Sequence, residues 1–544
     1  MTNKPNYESP FSFTRGSIVK AVYREPEIPA YVGNPLEEAL PPILTTDQLI
    51  LKLQHFPDYD ESFRDKSDEL RRLLIPESTR FFMPFDRHLD LYRRLEIVIR
   101  GGYAGRNPLA RLVRRHVISK TESFDQYADQ PDPAPDEFLS TAEGFTIAGI
   151  SGVGKSYSIN RGLKSFPQVI HHSEFRGQPF THSQIVWLKI DCPFDGNPRG
   201  LCISFLKAID ALLGTTYRQQ YAKRRQVQTE LLADTMTVAA NHYIGVLVID
   251  EIQRLSVARS GGAEILLNFF IQLVNEIGIP VVLVGTFKAL EVLSRQFSQM
   301  RRGTGQGDLI WDRMQKGEEW DVFVETLFRA QYTHKKFAPN DPASKSSQNH
   351  KGSSGKPPTL SDVLYDESQG ITDLAIKLYR FAQERAIDSG KEIVNESIVR
   401  SVARDKFATL KPVLTAIREG NEKALNQWDD VYPALVRKYL QTSSGGVPQV
   451  AIKGELASDP QIRAELNNGN DGAAEHAPPE SPKTPDSQGA ATPAQSQASA
   501  KKQANATDQG VLPSIIAPLD KKKDLAAYEA LKEAGYVSSP NTLV

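Results

Sequence analysis

The middle of the chain alternates between short apolar runs and longer stretches with apolar residues at helical spacing. Continuous apolar runs are typical of parallel strands that are buried on both faces. Apolar runs, interrupted only by Thr146 and Lys189, occupy residues 145–150, 185–190, 246–249 and 281–284. Helical spacing lies between them, over 157–166, 201–213 and 264–277. Strands that alternate with helices predict a parallel sheet covered by helices, so we expect an α/β core over 141–333.

The regions before this core have a different composition. Residues 1–45 are rich in Pro, Tyr and Glu. They predict an extended arm, and such arms usually dock on another surface. Apolar residues at helical spacing follow over 46–140, which predicts a helical region that leads into the core.

The regions after the core also change in character. Residues 334–358 contain mainly Lys, Ser, Asn, Gly and Pro, which predicts a disordered insert. Helical spacing returns over 359–440 and predicts a small helical domain. Residues 441–510 are dominated by Pro, Ala, Ser, Gln and Gly and predict a flexible linker. The last segment, 511–544, contains apolar residues again, and we interpret it as a tail that docks on a partner.

A complete phosphate-binding motif, G-x-x-x-x-G-K-[ST], runs from Gly149 to Ser156. It lies between a predicted strand and a predicted helix, which is the context this motif requires. The loop N–H groups, the helix N-terminus and Lys155 would hold the phosphates of ATP, and Ser156 would bind Mg²⁺. The alternative is a glycine-rich turn that only happens to carry Lys-Ser. The predicted nucleotide ligands in the loop are Gly149, Ser151, Gly152, Val153, Gly154, Lys155 and Ser156.

Two carboxylates end the apolar run at 246–249. Asp250 and Glu251 would point into the ligand crevice at the carboxyl end of a parallel strand. We predict that Asp250 binds Mg²⁺ and that Glu251 orients and deprotonates the attacking water. Both residues could instead cap the next helix, since acidic side chains stabilise helix N-termini.

Two further features lie downstream. Thr286 follows the apolar run at 281–284, where it could contact the water or the γ-phosphate, although Thr is also an ordinary strand residue. Arg301 and Arg302 precede a glycine-rich stretch. They could act as an arginine finger in the nucleotide site of a neighbouring subunit, or they could belong to a solvated turn.

The amino-acid composition says more about the cellular compartment of the protein than about its function. The 544 residues carry a formal charge of -1 and 40% hydrophobic residues, enough for a substantial core. The two cysteines, Cys192 and Cys202, have no metal-ligand spacing and suit a reducing cytoplasm. No run approaches the roughly 18 apolar residues that a membrane span needs, so we expect no membrane association.

Together these motifs resemble those of the AAA+ ATPases. More narrowly, the chain resembles the TnsC family, the ATP-dependent regulators of multi-subunit bacterial cut-and-paste transposons, akin to the TniB group. The resemblance extends over approximately 17–411. The strings that carry it are 21–24, 34–35, 38–42, 99–108, 188–192, 247–253, 301–303 and 311–312.

The resemblance implies an AAA+ P-loop core with a small helical lid. ATP-bound subunits would assemble as a ring or filament on double-stranded DNA. They would connect a target-selection protein to the transposase subunits, and ATP hydrolysis would release them. Tyr103, Arg106 and Asn107 would lie beside the adenine. Many AAA+ lids carry an arginine where this chain has Asp373, which puts the contribution of the lid to nucleotide sensing in doubt.

Basic residues suggest where DNA would bind. A cluster on a predicted helix and two residues near predicted strand ends could neutralise phosphates without reading sequence. The cluster could equally be a solvated helix face. The predicted DNA ligands are Lys189, Arg199, Arg218, Lys223, Arg224 and Arg225.

Two other functions remain open at this point. A small-molecule kinase also uses a phosphate loop, but Glu251 directly after Asp250 favours water as the nucleophile, and Arg301 and Arg302 suggest a partner subunit. A signalling or initiator-type ATPase would act on DNA without a transposase. Binding to a transposase would separate it from a transposition regulator.

Overall fold

The computed structural model describes residues 16–78, 80–110, 140–223, 227–257, 262–289, 306–341 and 358–421. All of them belong to one compact unit. Within these ranges, no helix has the length and apolar character needed to cross a membrane. Several predictions lie outside the described residues: Arg224, Arg225, Arg301, Arg302, most of the insert at 334–358, the linker at 441–510 and the tail at 511–544.

Strands and helices alternate through most of the core, as the apolar pattern predicts. The strands are β1 (Ile18–Lys20), β2 (Phe145–Gly149), β3 (Val169–Phe175), β4 (Gln178–Ile185), β5 (Trp187–Asp191), β6 (Val246–Asp250), β7 (Val281–Gly285) and β8 (Asp308–Trp311). The helices up to the core are α1 (Pro35–Glu38), α2 (Thr46–Leu53), α3 (Asp68–Ser78) and α4 (Asp86–Ala104).

The remaining helices cover the sheet or follow it. Those of the core are α5 (Lys155–Lys164), α6 (Pro198–Leu213), α7 (Tyr217–Tyr221), α8 (Gln228–Asn241), α9 (Gly262–Gln272) and α10 (Glu318–Leu327). The small helical domain contains α11 (Leu360–Ser368), α12 (Thr372–Asp388), α13 (Glu396–Lys406) and α14 (Lys411–Glu419).

The central sheet has the strand order β5-β6-β7-β2-β8, and every neighbouring pair is parallel. Alternate residues of β6 belong to two different hydrophobic cores, one on each face of the sheet. Val246 and Val248 join the core with α4 and α5, whereas Leu247 and Ile249 join the core with α6, α8 and α9. Burial on both faces explains why the strand is a continuous apolar run.

The apolar run at 185–190 is divided between two sheets, although the pattern predicts one strand. Ile185 ends β4, and Trp187 begins β5. Strands β3 and β4 form an antiparallel hairpin whose turn, Arg176-Gly177, has φ of 50° and 77°. A turn with two positive φ angles matches the twist of a hairpin. Sequence periodicity does not separate the two strands because no turn residue lies between them.

The N-terminal arm docks on its own chain. Strand β1 pairs in parallel with β3, so that Ile18 lies opposite Val169. Farther along, Tyr23 donates or accepts a hydrogen bond with His172 Nδ1 at 2.8 Å, and Leu36 is fully buried. The described part of the arm therefore pairs with the hairpin through the exposed strand β1 and is buried at residues 34–40.

Local signals fix the start of α6 earlier than the apolar spacing at 201–213 suggests. The Asn197 side chain accepts a hydrogen bond from the Arg199 N–H, and Pro198 occupies the first helical position. Proline is favoured there because that N–H has no partner within the helix. Gly214 ends the helix in the left-handed conformation with φ of 70°.

Candidate nucleotide-binding site

The phosphate motif forms the connection between β2 and α5. Gly152 and Gly154 have φ of 84° and 91°, which favours glycine at both positions. A Cβ on Gly149 would lie 2.1 Å from the Trp311 carbonyl oxygen of the neighbouring strand β8. Lys155 Nζ donates hydrogen bonds to the carbonyl oxygens of Gly149 and Ile150, both at 2.7 Å. The loop therefore needs its glycines for backbone conformation and for strand packing.

Asp250 lies at the carboxyl end of β6 and is buried. Its Oδ1 accepts a hydrogen bond from the Glu251 N–H at 2.9 Å, and its Oδ2 lies 2.8 Å from Lys189 Nζ. Lys189 is also buried, on the adjacent strand β5. The prediction that Lys189 contacts DNA is therefore wrong for this structure, because its ammonium group neutralises Asp250 inside the core.

Glu251 and Thr286 follow the ends of neighbouring strands. The Glu251 backbone has φ of 59°, an uncommon conformation for a residue with a side chain, and its Oε2 accepts a hydrogen bond from Gln253 Nε2 at 2.7 Å. Thr286 is buried, and its Oγ1 makes no hydrogen bond to any described residue. A buried hydroxyl normally has a partner, so this one suits a ligand.

These elements surround one cavity of about 600 Å³, a size typical of small-molecule sites. The loop residues 151–158 form one wall, and the ends of β6 and β7 form another. Of the predicted site residues, it brings together Ser151, Gly152, Val153, Gly154, Lys155, Ser156, Asp250, Glu251 and Thr286.

An aromatic wall also lines the cavity, and its Phe82 ring packs against Tyr157, just after the phosphate loop. It comes from the segment before α4 and from the first turn of that helix, and sequence reasoning missed it. Its members are Phe81, Phe82, Met83, Phe85, Arg87 and His88. Burial, and secondarily Arg87, lowers the pKa of His88 well below its usual value, so this imidazole is neutral at pH 7. The density of aromatic residues at 81–85 is the sequence signal that could have revealed this wall.

The prediction that Tyr103, Arg106 and Asn107 lie beside the adenine is wrong for this structure. None of them is among the described residues that line the cavity. Tyr103 Oη donates to the Tyr243 carbonyl at 2.9 Å, and Arg106 Nη1 donates to the Ile244 carbonyl at 2.8 Å.

Those two carbonyls precede β6, at the opposite end of the strand from Asp250. Five residues of strand span roughly 16 Å, which separates Tyr103 and Arg106 from the carboxylates. Asn107 Nδ2 donates to the Gly33 carbonyl at 3.1 Å. The three side chains therefore fasten the end of α4 to the sheet and to the N-terminal arm.

Helix α12 of the small helical domain begins against the phosphate loop. The Asp373 N–H donates to the Gly152 carbonyl at 3.0 Å, and Thr372 Oγ1 donates to the same oxygen at 3.2 Å. Asp373 forms an ion pair with Lys377 at 2.6 Å. Ile376, Lys377 and Arg380 of the same helix also line the cavity, so the domain covers the site as a lid does.

Residues 139–293 match the family model described as the AAA domain. They contain the phosphate loop, the Asp-Glu strand end and Thr286, all at the carboxyl edge of the parallel sheet. The core has the AAA+ P-loop fold. A helical domain follows this AAA+ core and lies over its phosphate loop.

Solved structures with a similar fold include the ORC2 protein of Aeropyrum pernix, with 14% identity, 66% of this chain and 86% of that chain covered, and a TM-score of 0.31. Another is Cdc6p of Pyrobaculum aerophilum, with 14% identity, 56% and 81% coverage, and a TM-score of 0.32. A third is the Drosophila ORC bound to DNA, with 12% identity, 79% and 88% coverage, and a TM-score of 0.33. These likenesses concern the fold alone. No curated protein matches the chain.

The other described residues that the sequence predicts as DNA ligands lie near the start of α6 and on or after α7. Arg218 and Lys223 are exposed, and Arg199 is half-buried. Arg199 Nη2 donates to the Lys223 carbonyl at 2.5 Å, which places these two residues side by side. Arg199, Arg218 and Lys223 thus remain candidates for contact with DNA phosphates.

Proposed function

We propose that this chain is an ATP-dependent regulator of DNA transposition that binds and hydrolyses ATP in the AAA+ cavity. The observation that carries the ATPase proposal is the convergence of the phosphate loop, Asp250, Glu251 and Thr286 around one cavity of about 600 Å³. A phosphate loop alone would serve any nucleotide-binding protein. A second carboxylate beside the Mg²⁺ ligand favours hydrolysis.

The lining of the cavity fits ATP and Mg²⁺ chemically. The loop N–H groups and Lys155 would bind the phosphates, and the aromatic wall at 81–88 would pack against the base. The Ser156 hydroxyl and the Asp250 carboxylate are oxygen ligands of the kind that Mg²⁺ prefers. The metal, when bound, would neutralise phosphate charge.

In the proposed reaction, a water oxygen bonds to the γ-phosphorus while the bond to the β–γ bridging oxygen breaks, which gives ADP and phosphate. Glu251 orients this water and accepts its proton. The Thr286 hydroxyl, which has no hydrogen-bond partner among the described residues, would donate to a γ-phosphate oxygen or to the water. Closure of the lid helix α12 would exclude bulk water from the reaction.

Two variants test the ATPase proposal. Lys155→Ala should abolish ATP binding, whereas Glu251→Gln should preserve binding and reduce turnover by about 10²-fold or more, since an amide does not accept the proton of the water. Binding can be followed with a fluorescent ATP analogue and turnover by phosphate release. Parental turnover in Glu251→Gln would make Glu251 a helix cap and would remove it from the mechanism.

The proposed assembly is a ring or filament in which Arg301 and Arg302 act on the ATP of a neighbouring subunit. A variant with both arginines changed to Ala should bind ATP but hydrolyse little of it. Mixing it with Lys155→Ala subunits should restore part of the activity, because some interfaces then join an intact ATP site to intact arginines. Full activity of the arginine variant as a monomer would contradict a shared site.

The role in transposition rests on the ordered strings shared with TnsC. Electron microscopy with duplex DNA and a non-hydrolysable ATP analogue should reveal ATP-dependent assemblies. Changing Arg218 and Lys223 to Glu should weaken binding to unrelated DNA sequences alike and reduce the salt dependence. An unchanged salt slope would assign both residues to a solvated surface.

Binding of a transposase would distinguish a transposition regulator from an initiator-type ATPase. The DNA-bound assembly should retain the transposase subunits and a target-selection protein, and deletion of 511–544 should impair the contact with the transposase while ATP and DNA binding persist. The physical reason is that a linker raises the effective concentration of a docking segment near its binding site on the partner. ATP-dependent assembly on DNA without any effect on a transposase would favour the initiator-type function.

A further inference from the structure

The Gln253 side chain connects the ends of two neighbouring strands of the AAA+ sheet. It belongs to a short 3₁₀ helix, Ile252–Val257, directly after Glu251. Its Nε2 donates to Glu251 Oε2 at 2.7 Å, and its Oε1 accepts from the Thr286 N–H at 3.1 Å. One amide group thus bridges the proposed catalytic base and the residue proposed to contact the γ-phosphate.

The chemistry of the two partners determines the orientation of this amide. A backbone N–H only donates, so Oε1 must face Thr286, and an ionised carboxylate only accepts, so Nε2 must face Glu251. A glutamate at position 253 would keep the contact with the Thr286 N–H. It would, however, place its own carboxylate beside that of Glu251. A leucine would make neither hydrogen bond.

The surrounding backbone leaves room for the bridge. A Cβ on Gly285, the last residue of β7, would lie 2.7 Å from Gln253 Oε1 and 2.8 Å from Ile252 Cγ2. Glycine at position 285 therefore lets the amide pass between the strand ends. The left-handed φ of 59° at Glu251 has a conformational cost, which the hydrogen bond from Gln253 helps to offset.

Both polar contacts of the Glu251 carboxylate with described side chains fall on the same oxygen. Arg254 Nη2 lies 3.9 Å from Oε2, the oxygen that Gln253 also contacts. The other oxygen, Oε1, is thereby left to accept the proton of a water molecule in the cavity. Because the bridge also holds the Thr286 backbone, a shift at the end of β7 would be transmitted to Gln253 and, through it, to Glu251.

We infer that Gln253 is a positioning residue for ATP hydrolysis, which orients the Glu251 carboxylate and couples it to Thr286 at the end of β7. This inference rests on the proposed ATPase function. Gln253 lines the same cavity, but its amide nitrogen and oxygen contact Glu251 and Thr286, and we assign it no contact with the nucleotide. Its removal should therefore reduce kcat and leave ATP affinity unchanged.

The test is a double-mutant cycle on the full chain. Gln253→Leu should lower kcat by about 10- to 100-fold, as loss of orientation of a catalytic group does, with ATP affinity within about twofold of the parent. In the Glu251→Gln background, the same change should have no further effect, because the base it orients is already gone. Single-turnover assays with radiolabelled ATP measure the slow variants. Gln220→Leu, on the exposed α7, is the matched control.

Three results would overturn the inference: parental kcat in Gln253→Leu, equal losses with and without Glu251, or ATP affinity that falls together with kcat. Should Gln253→Leu fail to fold, Gln253→Glu keeps the length and the contact with Thr286, and it should still lower kcat. Parental kcat in that variant would also overturn the inference. A parent that hydrolyses no ATP would overturn the ATPase function as well, whereas parental hydrolysis with silent Gln253 variants overturns the inference alone.

Discussion

Lys189 Nζ lies 2.8 Å from Asp250 Oδ2, across the neighbouring strands β5 and β6, and both side chains are buried. A buried ion pair is sensitive to the loss of one partner, since the remaining charge then lacks compensation. Lys189 therefore supports the proposed Mg²⁺ ligand from within the sheet.

Lys189→Met should destabilise the protein by about 3–5 kcal/mol, because it leaves the Asp250 carboxylate buried without its cation. Denaturant unfolding measures the change. The exposed Lys223→Met should alter stability by no more than about 0.5 kcal/mol. Equal stabilities of the two variants would mean that the Lys189–Asp250 pair is solvated.

The aromatic wall at 81–88 predicts where the adenine of ATP binds. Phe82→Ala should weaken ATP binding by roughly tenfold, since a buried aromatic contact is worth about 1 kcal/mol or more. Tyr103→Phe should leave ATP affinity unchanged, because its hydroxyl bonds to the Tyr243 carbonyl at the other end of β6. Titration with a fluorescent ATP analogue compares the two variants. A larger loss of ATP affinity in Tyr103→Phe than in Phe82→Ala would show that the adenine binds beside Tyr103, as the family resemblance implies.

Helix α3 is fastened to the lid by a buried arginine. Arg71 Nη1 and Nη2 donate to the two carboxylate oxygens of Glu392, both at 2.8 Å, and Arg71 is fully buried. Arg71→Met should destabilise the protein by about 3–5 kcal/mol. Its neighbour Arg72 pairs with Asp388 at 2.8 Å in solvent, so Arg72→Met should cost at most about 1 kcal/mol. Thermal unfolding of both variants tests whether burial makes this difference.

Glu37 predicts a pH dependence of stability. Burial raises the pKa of its carboxyl group to about 8, despite the opposing effect of Arg100. The folded state then binds this proton more tightly than the unfolded chain, so stability should fall as pH rises from about 4.5 to about 8. Glu37→Gln should reduce that fall, by about 1.4 kcal/mol for each unit of pKa difference. Unfolding at pH 5, 7 and 9 measures it, with exposed Glu27→Gln as the control. A parallel pH dependence in the parent and Glu37→Gln would contradict this origin.

The parts of the fold that sequence predicted are those determined locally. The phosphate loop is read from eight consecutive residues, and the strands β2, β6 and β7 are apolar because both faces of the sheet are covered. Strands β3 and β4 escaped prediction because one face of their hairpin is exposed and carries residues such as His171 and Thr181. The pairing of β3 with β1 depends on contacts between residues about 150 positions apart.

The misplaced site residues share another cause. Lys189 and Tyr103 occupy positions whose residue types suit a ligand, but their side chains point into the protein, and only tertiary packing decides that. The aromatic wall was missed for the same reason, since the packing of α4 against α5 is what brings the segment at 81–88 to the phosphate loop. The bridge through Gln253 needs the register of two strands, which no local pattern contains.

The contact between Gly152 and Asp373 is made by main-chain atoms, the carbonyl oxygen of one and the N–H of the other. Such a bond is indifferent to the side chain at position 373, so the lid can remain fastened to the phosphate loop whether that position holds an aspartate or an arginine. Among the coded amino acids, only proline lacks the hydrogen that forms it. Sequence drift at this position can thus change the charge presented to the nucleotide without detaching the lid.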